Sequence, residues 1–261
     1  MESVGYAKVL GEEFWMRRGE KIAEGAKQHA FAMSEAERMK RRDLSVIGEL
    51  VRRLEAKMLP VPGTEILLSK TEFTVGEWKL YLRAEGYPEW QQPEPKEFMQ
   101  TDEHPVGKVS WNEAMKFCEW LSKVSGKQWR LPKEVEWELA VGKMKYPWGE
   151  YFPPKKEDGN YAIMADGKED PARVGVDGIK GTAPVGSFKA NALGFYDLGG
   201  NVWEWMLDGF DPKDPKSRQR LRGGSWFDFA GGAQVAARAF SFNPDGRDFN
   251  VGFRLARSSG Q

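Results

Sequence analysis

The chain has 261 residues, 40% of them hydrophobic and 11 of them Trp, enough apolar side chain for one large packed domain with an extension. Lys+Arg 39 balance Asp+Glu 39, which gives no support to a nucleic-acid partner held by a basic surface. Cys118 stands alone, so no internal disulfide forms, and no apolar run reaches the length of a membrane span.

Residues 11–58 read as charged helix. Ser34-Glu35-Ala36-Glu37 fits a capping box, in which a Ser oxygen and a Glu carboxylate each satisfy an orphan amide. Leu44, Ile47, Val51, Leu54 and Met58 then recur at spacings of three and four between Lys40, Arg41, Arg42, Arg52 and Arg53. That stripe is too short for a coiled coil and reads as a helix docked on its own domain. Met1-Glu2-Ser3-Val4-Gly5-Tyr6 lacks the apolar region of a signal peptide. Pro60-Val61-Pro62-Gly63 breaks the helix, so an N-terminal helical extension is expected over 1–60 and the main domain over 61–261.

Beyond the break, Ile66-Leu67-Leu68 reads as a strand. Thr74 caps a helix through Trp78, Leu80 and Leu82. Ser110 caps a second through Ala114, Phe117 and Leu121, which stops near Gly126. Pro132 is expected in the first turn of a third, Glu134 to Val141. Cys118 lies within the second helix and reads as a small buried hydrophobe. A nucleophilic reading would have only His29 or His104 for its base. From Gly142 onward, Gly and Pro separate short apolar runs, predicting loops and short strands. The fold class is α+β. Arg130, Glu136, Arg222 and Arg254 sit inside apolar motifs, where buried charges are paired; Arg–carboxylate pairs are expected.

Several of these segments form an ordered series: Thr71-Glu72-Phe73-Thr74-Val75, His104-Pro105-Val106, Val109-Ser110-Trp111, Arg130-Leu131-Pro132, Tyr146-Pro147-Trp148-Gly149, Thr182 to Phe188, Gly199-Gly200-Asn201-Val202-Trp203-Glu204-Trp205 and Arg222-Gly223-Gly224-Ser225-Trp226. The series, spanning roughly 62–257, resembles the formylglycine-generating-enzyme-like (sulfatase-modifying) family, a branch of the C-type-lectin fold. That enzyme type places two redox cysteines in the C-terminal bracket, and the matching positions here are Asp228 and Ala233. The resemblance therefore implies the fold without the sulfur chemistry, and the expectation is a protein that is not an enzyme. His29 and His104 are also too few for the histidine triad of the related iron-dependent sulfoxide synthases.

The same resemblance implies structural Ca2+, which prefers mixed oxygen ligands. One site maps onto the Asp197 and Glu204 side chains with the Gly200 and Val202 carbonyls. A second maps onto the Asn160 and Asp177 side chains with the Tyr161 and Ile179 carbonyls. The alternative is that Asp197 and Asn201 make turn hydrogen bonds with nothing bound. Two His and one Cys argue against zinc or copper.

The frame from Leu221-Arg222-Gly223-Gly224-Ser225-Trp226 to Val251-Gly252-Phe253-Arg254 also resembles the variable proteins of diversity-generating retroelements, whose C-terminal segment is rewritten at adenines. On that resemblance the variable region is 221–254 and the ligand-contacting positions are Phe227, Asp228, Phe229, Gly232, Ala237, Ala239, Phe240, Ser241, Phe242, Gly246, Asp248 and Phe249. Aromatic residues supply rigid contact area and small residues supply fit. The implied partner is a macromolecule or surface glycan. Variable proteins of this type act at cell or phage surfaces, so a surface location is expected if an export segment precedes the chain. The competing reading is structural: Phe227-Asp228-Phe229 and Phe240-Ser241-Phe242 alternate with period two, as half-buried strands do. Trp226, Val235, Val251 and Phe253 supply core candidates beside them.

Overall fold

The computed structural model describes residues 44–87, 100–163, 167, 172, 174–209, 218–228 and 240–260, with the backbone alone at Phe240. The capping box at Ser34 and the residues of the first helical stretch before Leu44 lie outside them. Helix α1 is Leu44–Glu55. Its buried side is Val46, Ile47, Leu50 and Leu54, while Leu44 is exposed and Val51 only half-buried. The predicted stripe is therefore rotated, because Leu50 completes the i, i+3, i+4 face with Ile47 and Leu54. Met58 is not helical: the chain turns after Glu55 and enters strand β1, Met58–Pro60.

Strand β2, Ile66–Ser69, pairs antiparallel with β1. Helix α2, Val75–Ala84, opens on a capping box in which Thr74 accepts from Glu77 N–H and Glu77 accepts from Thr74 N–H. Helix α3, Trp111–Ser125, repeats the device with Ser110 and Glu113 and ends on Gly126 in the left-handed region. Strand β3, Trp129–Arg130, leads into helix α4, Glu134–Val141. Pro132 precedes the cap residue Lys133 and so lies outside the helix. Its carbonyl accepts from Leu207 N–H, a bond to β4 that a first-turn position would redirect along the helix.

The remaining strands are β4 Trp203–Gly209, β5 Gln219–Arg222, β6 Phe240–Phe242, β7 Val251–Gly252 and β8 Ala256–Ser258. They complete two four-stranded sheets, ordered β1-β2-β8-β3 and β6-β5-β4-β7. The C-terminal strand thus closes between β2 and β3, antiparallel to both.

Alternation along β4 divides the interior in two. Trp203 and Trp205 enter the larger core with Phe73, Phe117, Phe253 and the buried face of α1. Met206 enters a smaller core with Trp137, Leu198 and Ala256. Phe73 stacks on Phe253 at 4.8 Å between ring centroids and meets Phe117 at 4.7 Å, so the Thr71–Val75 motif and the C-terminal motif are one packing unit. Two indoles find backbone acceptors: buried Trp205 Nε1 donates to the Val109 carbonyl and half-buried Trp111 Nε1 to that of Met206, both at 2.8 Å.

The expected Arg–carboxylate pairs form. Arg130 holds Glu136 by two bonds of 2.6 and 2.7 Å, and Arg254 grips Glu204 with both side chains fully buried. Arg222 is clasped by Glu134 and Glu138 of α4. Cys118 is buried in α3, and burial holds its thiol well above the usual range, away from nucleophilic chemistry.

Candidate binding face and candidate cation loops

Gly223 and Gly224 carry φ of +98° and +76°, which turns the chain out of β5 and over the β4–β7 side of the sheet. Trp226 N–H donates to the Asn201 carbonyl at 3.0 Å, tying that excursion to the turn before β4. Ser225 is fully buried; its Oγ accepts from Asn250 Nδ2 at 3.0 Å and donates to Asp228 Oδ2. Asp228 Oδ2 also accepts from Trp203 Nε1 at 2.6 Å. The carboxylate that stands where the resemblance implies the first redox cysteine is thus built into a hydrogen-bonded floor.

Around this floor Trp226, Phe227 and Phe249 form a ring triad, with centroid separations of 5.3, 5.6 and 5.5 Å. Trp226 is buried, whereas Phe227 and Phe249 are half-buried. Asp248 adjoins them, its Oδ1 accepting from Phe249 N–H at 2.7 Å. Burial, with a smaller contribution from the Asp228 charge, pushes the Asp248 carboxyl up to about 6.

The structure divides the predicted contact positions. Phe227, Asp228, Asp248 and Phe249 gather beside β7. Ser241 and Phe242 stand on β6, at the opposite edge of the same sheet. There Phe242 packs half-buried against the larger core, 6.1 Å from the Trp205 ring, and Gly246 lies against the Phe242 ring. Phe229, Gly232, Ala237 and Ala239, with the core candidate Val235, lie outside the described residues, as does the Phe240 side chain. Trp226, Val251 and Phe253 are core residues as expected. Ser225, Asn250 and Trp203 Nε1 were not singled out as site residues; their roles depend on contacts that only the fold creates.

Apart from Glu204, which stands on β4, the positions mapped for Ca2+ lie outside helices and strands, and the two sets adjoin where Asn201 N–H donates to the Asn160 carbonyl at 3.0 Å. Asp197 and Asn201 have φ of +52° and +59°, left-handed conformations that shape the turn. Asp197 Oδ2 accepts from Gly186 N–H at 2.6 Å, while its buried Oδ1 has no hydrogen-bond partner. Burial pushes this carboxyl up to about 6. Asp177 repeats the pattern: Oδ1 accepts from Ile179 N–H at 3.0 Å, Oδ2 is buried without a partner, and burial raises the carboxyl to about 7. Those two oxygens fit a hard cation. Glu204 differs, since Arg254 and the Trp137 indole occupy its oxygens at 2.6 to 3.0 Å. Asn160 Nδ2 donates to the Gly181 carbonyl at 2.8 Å. Among the described residues no three His, Cys, Asp or Glu side chains cluster as a metal centre, so a cation here would depend on carbonyl and amide oxygens as well.

Glu72 carries more of this region than its place in a motif suggested. It is fully buried, accepts from Asn201 Nδ2 at 2.7 Å and Val202 N–H at 3.1 Å, and is held well above the usual carboxylate range by burial and by neighbouring Asp197 and Glu204. The available signal was a carboxylate between Thr71 and Phe73 inside an apolar motif, the same signal that marked Arg254.

Fold and site together define an α+β domain of the C-type-lectin-like class. The chain belongs to the family of the sulfatase-modifying factor enzyme 1-like domain, whose family model matches residues 48–259. It is 36% identical over 188 residues to the formylglycine-generating enzyme of Mus musculus, covering 64% of this chain and 48% of that protein. It is 38% identical over 193 residues to the inactive C-alpha-formylglycine-generating enzyme 2 of the same species, covering 66% and 58%. The chain thus spans about half the length of these relatives. Among solved structures, Treponema denticola variable protein 1 superposes with a TM-score of 0.59 at 23% identity, covering 74% of this chain and 84% of that one, a likeness of fold.

Proposed function

We propose that this chain is a catalytically degenerate member of its family that binds a macromolecular partner through the face formed by Phe227, Asp228, Asp248 and Phe249. The observation that carries this is the Asp228 carboxylate, fixed by Trp203 and Ser225 where the family resemblance implies a redox cysteine. Cys118, buried in α3, does not replace it. The similarity to an inactive relative as well as to an active enzyme agrees with a fold kept after the chemistry is lost. Incubation with a thiol-bearing peptide substrate of the formylglycine-generating type is expected to leave the cysteine unchanged. Conversion of that cysteine to an aldehyde would overturn the reading. Binding to peptide and glycan arrays is expected to weaken when Phe227 and Phe249 are replaced by Ser.

The finer reading, a face diversified by a retroelement, is supported by the sequence frame 221–254. Its test lies in the DNA around the gene: a near-copy of the segment encoding Leu221 to Arg254, differing at adenines and beside a reverse transcriptase. Absence of that copy removes the diversified reading and leaves the binding reading in place. Ca2+ belongs to the same proposal as a structural ion at each of the two mapped sites, the free oxygen of Asp197 serving one and that of Asp177 the other. When bound, each ion would neutralise the buried carboxylate charge at its own site. Chelation is then expected to lower the melting temperature.

A further inference from the structure

The Tyr161 hydroxyl is buried and, like Asp197 Oδ1, has no hydrogen-bond partner. Its ring packs at 4.9 Å from Trp148, which accounts for the phenyl group but not for the oxygen. That oxygen points at the backbone of the Asp197–Val202 loop: a Cβ built on Gly199 would lie 2.0 Å from it. A Cβ on Gly200 would likewise lie 3.0 Å from the Tyr161 ring. One unpartnered buried oxygen thus belongs to this loop and another is aimed at its backbone, and buried polar atoms in native proteins have partners. A Phe at 161 would fill the same space without leaving an oxygen unsatisfied.

We infer that the Tyr161 side chain, from a residue whose carbonyl maps to the second site, serves the cation held by Asp197, its hydroxyl contacting the ion directly or through one bound water. This rests on the Ca2+ reading of the Asp197 loop and adds a residue to it. Ligand sets of hard cations are built from oxygens, and partners just outside the ligand shell tune affinity strongly.

The test uses the full chain in an Asp177→Asn background, so that the Asp197 loop is read alone. Terbium luminescence excited through the protein's aromatic residues and the melting shift on Ca2+ addition are measured. The parent is expected to show saturable emission that Ca2+ displaces. Tyr161→Phe is expected to bind about tenfold or more weakly, while its circular dichroism and its melting in chelator match the parent. Equal affinity in Tyr161→Phe would overturn the role of the hydroxyl and leave the Ca2+ reading standing. No binding by the parent, with Asp197→Asn indistinguishable from it, would overturn both. Should Tyr161→Phe fail to fold, the parent's ultraviolet difference spectrum on Ca2+ addition decides: a tyrosine perturbation supports the inference and a flat spectrum overturns it.

Discussion

Arg254 meets Glu204 through two bonds of 2.6 Å, and neither side chain reaches solvent. Its guanidinium also donates to the carbonyls of Ser69, Tyr196 and Asp197, so one residue ties the end of β2, the Asp197 turn and β4 together. Replacing Arg254 by Met leaves a buried carboxylate without its counter-charge and is expected to cost about 3–5 kcal/mol, read as a fall in denaturant midpoint at unchanged m. Asp248 makes a different prediction. Its folded carboxyl titrates at about 6 because it is buried, above the ordinary value of about 4. A raised carboxyl favours the folded state at low pH, and that contribution is lost as pH climbs from about 4 to about 6. Asp248→Asn is therefore expected to gain stability relative to the parent across that interval and to hold the gain above it. Denaturant titrations at pH 4, 5, 6 and 7 check the sign. A difference that is flat with pH would contradict the burial assigned to Asp248.

Helix α1 shows what patterning reveals and where it stops. Three-and-four spacing identified the helix and its docking, but a stripe starting at Leu44 put Val51 in the buried set and left out Leu50. Which phase of the repeat faces inward depends on what α1 packs against. Leu50 is fully buried in the larger core, so Leu50→Ala is expected to cost about 2–5 kcal/mol, whereas Leu44→Ala, at an exposed position, is expected to change stability by less than about 0.5 kcal/mol. Thermal unfolding of the two variants separates them. The caps Thr74 and Ser110 of α2 and α3 were legible because a cap is a local device, and the structure completes each as a box with Glu77 and Glu113 within four residues. Pro132 misled for a related reason. Proline suits a first helical turn, yet Lys133 takes the cap and Pro132 bonds to a strand 75 residues further on.

At the scale of the molecule, the second sheet decides which C-terminal residues can act together. Its order β6-β5-β4-β7 places Phe227 and Phe249 on one side and Phe242 on the far edge. A single continuous aromatic face was a fair expectation from the sequence, since chain proximity does not show which edge of a sheet a segment joins. Phe227→Ser with Phe249→Ser, at half-buried positions, is expected to reduce partner binding with a smaller loss of melting temperature than Phe253→Ala. Phe253, fully buried and stacked on Phe73, is expected to lose about 3–5 kcal/mol on truncation to Ala. Equal destabilisation by the two changes would place Phe227 and Phe249 in the core and remove the binding face.

The sequence by itself determined the α+β class, the caps that start α2 and α3, the burial of Trp226 and the pairing of buried arginines. All of these follow from short-range spacing or from the cost of burying a charge alone. It also showed that redox sulfur is missing from the C-terminal bracket. Only the tertiary structure decided that Ser225, Trp203 and Asn250 hold Asp228 in place, that Glu204 is committed to Arg254, and that the Tyr161 hydroxyl meets the Asp197 loop. Apart from the local Ser225–Asp228 bond, those contacts join residues 25 to 50 positions apart, and the chain's register across two sheets, which no local pattern encodes, brings them into contact.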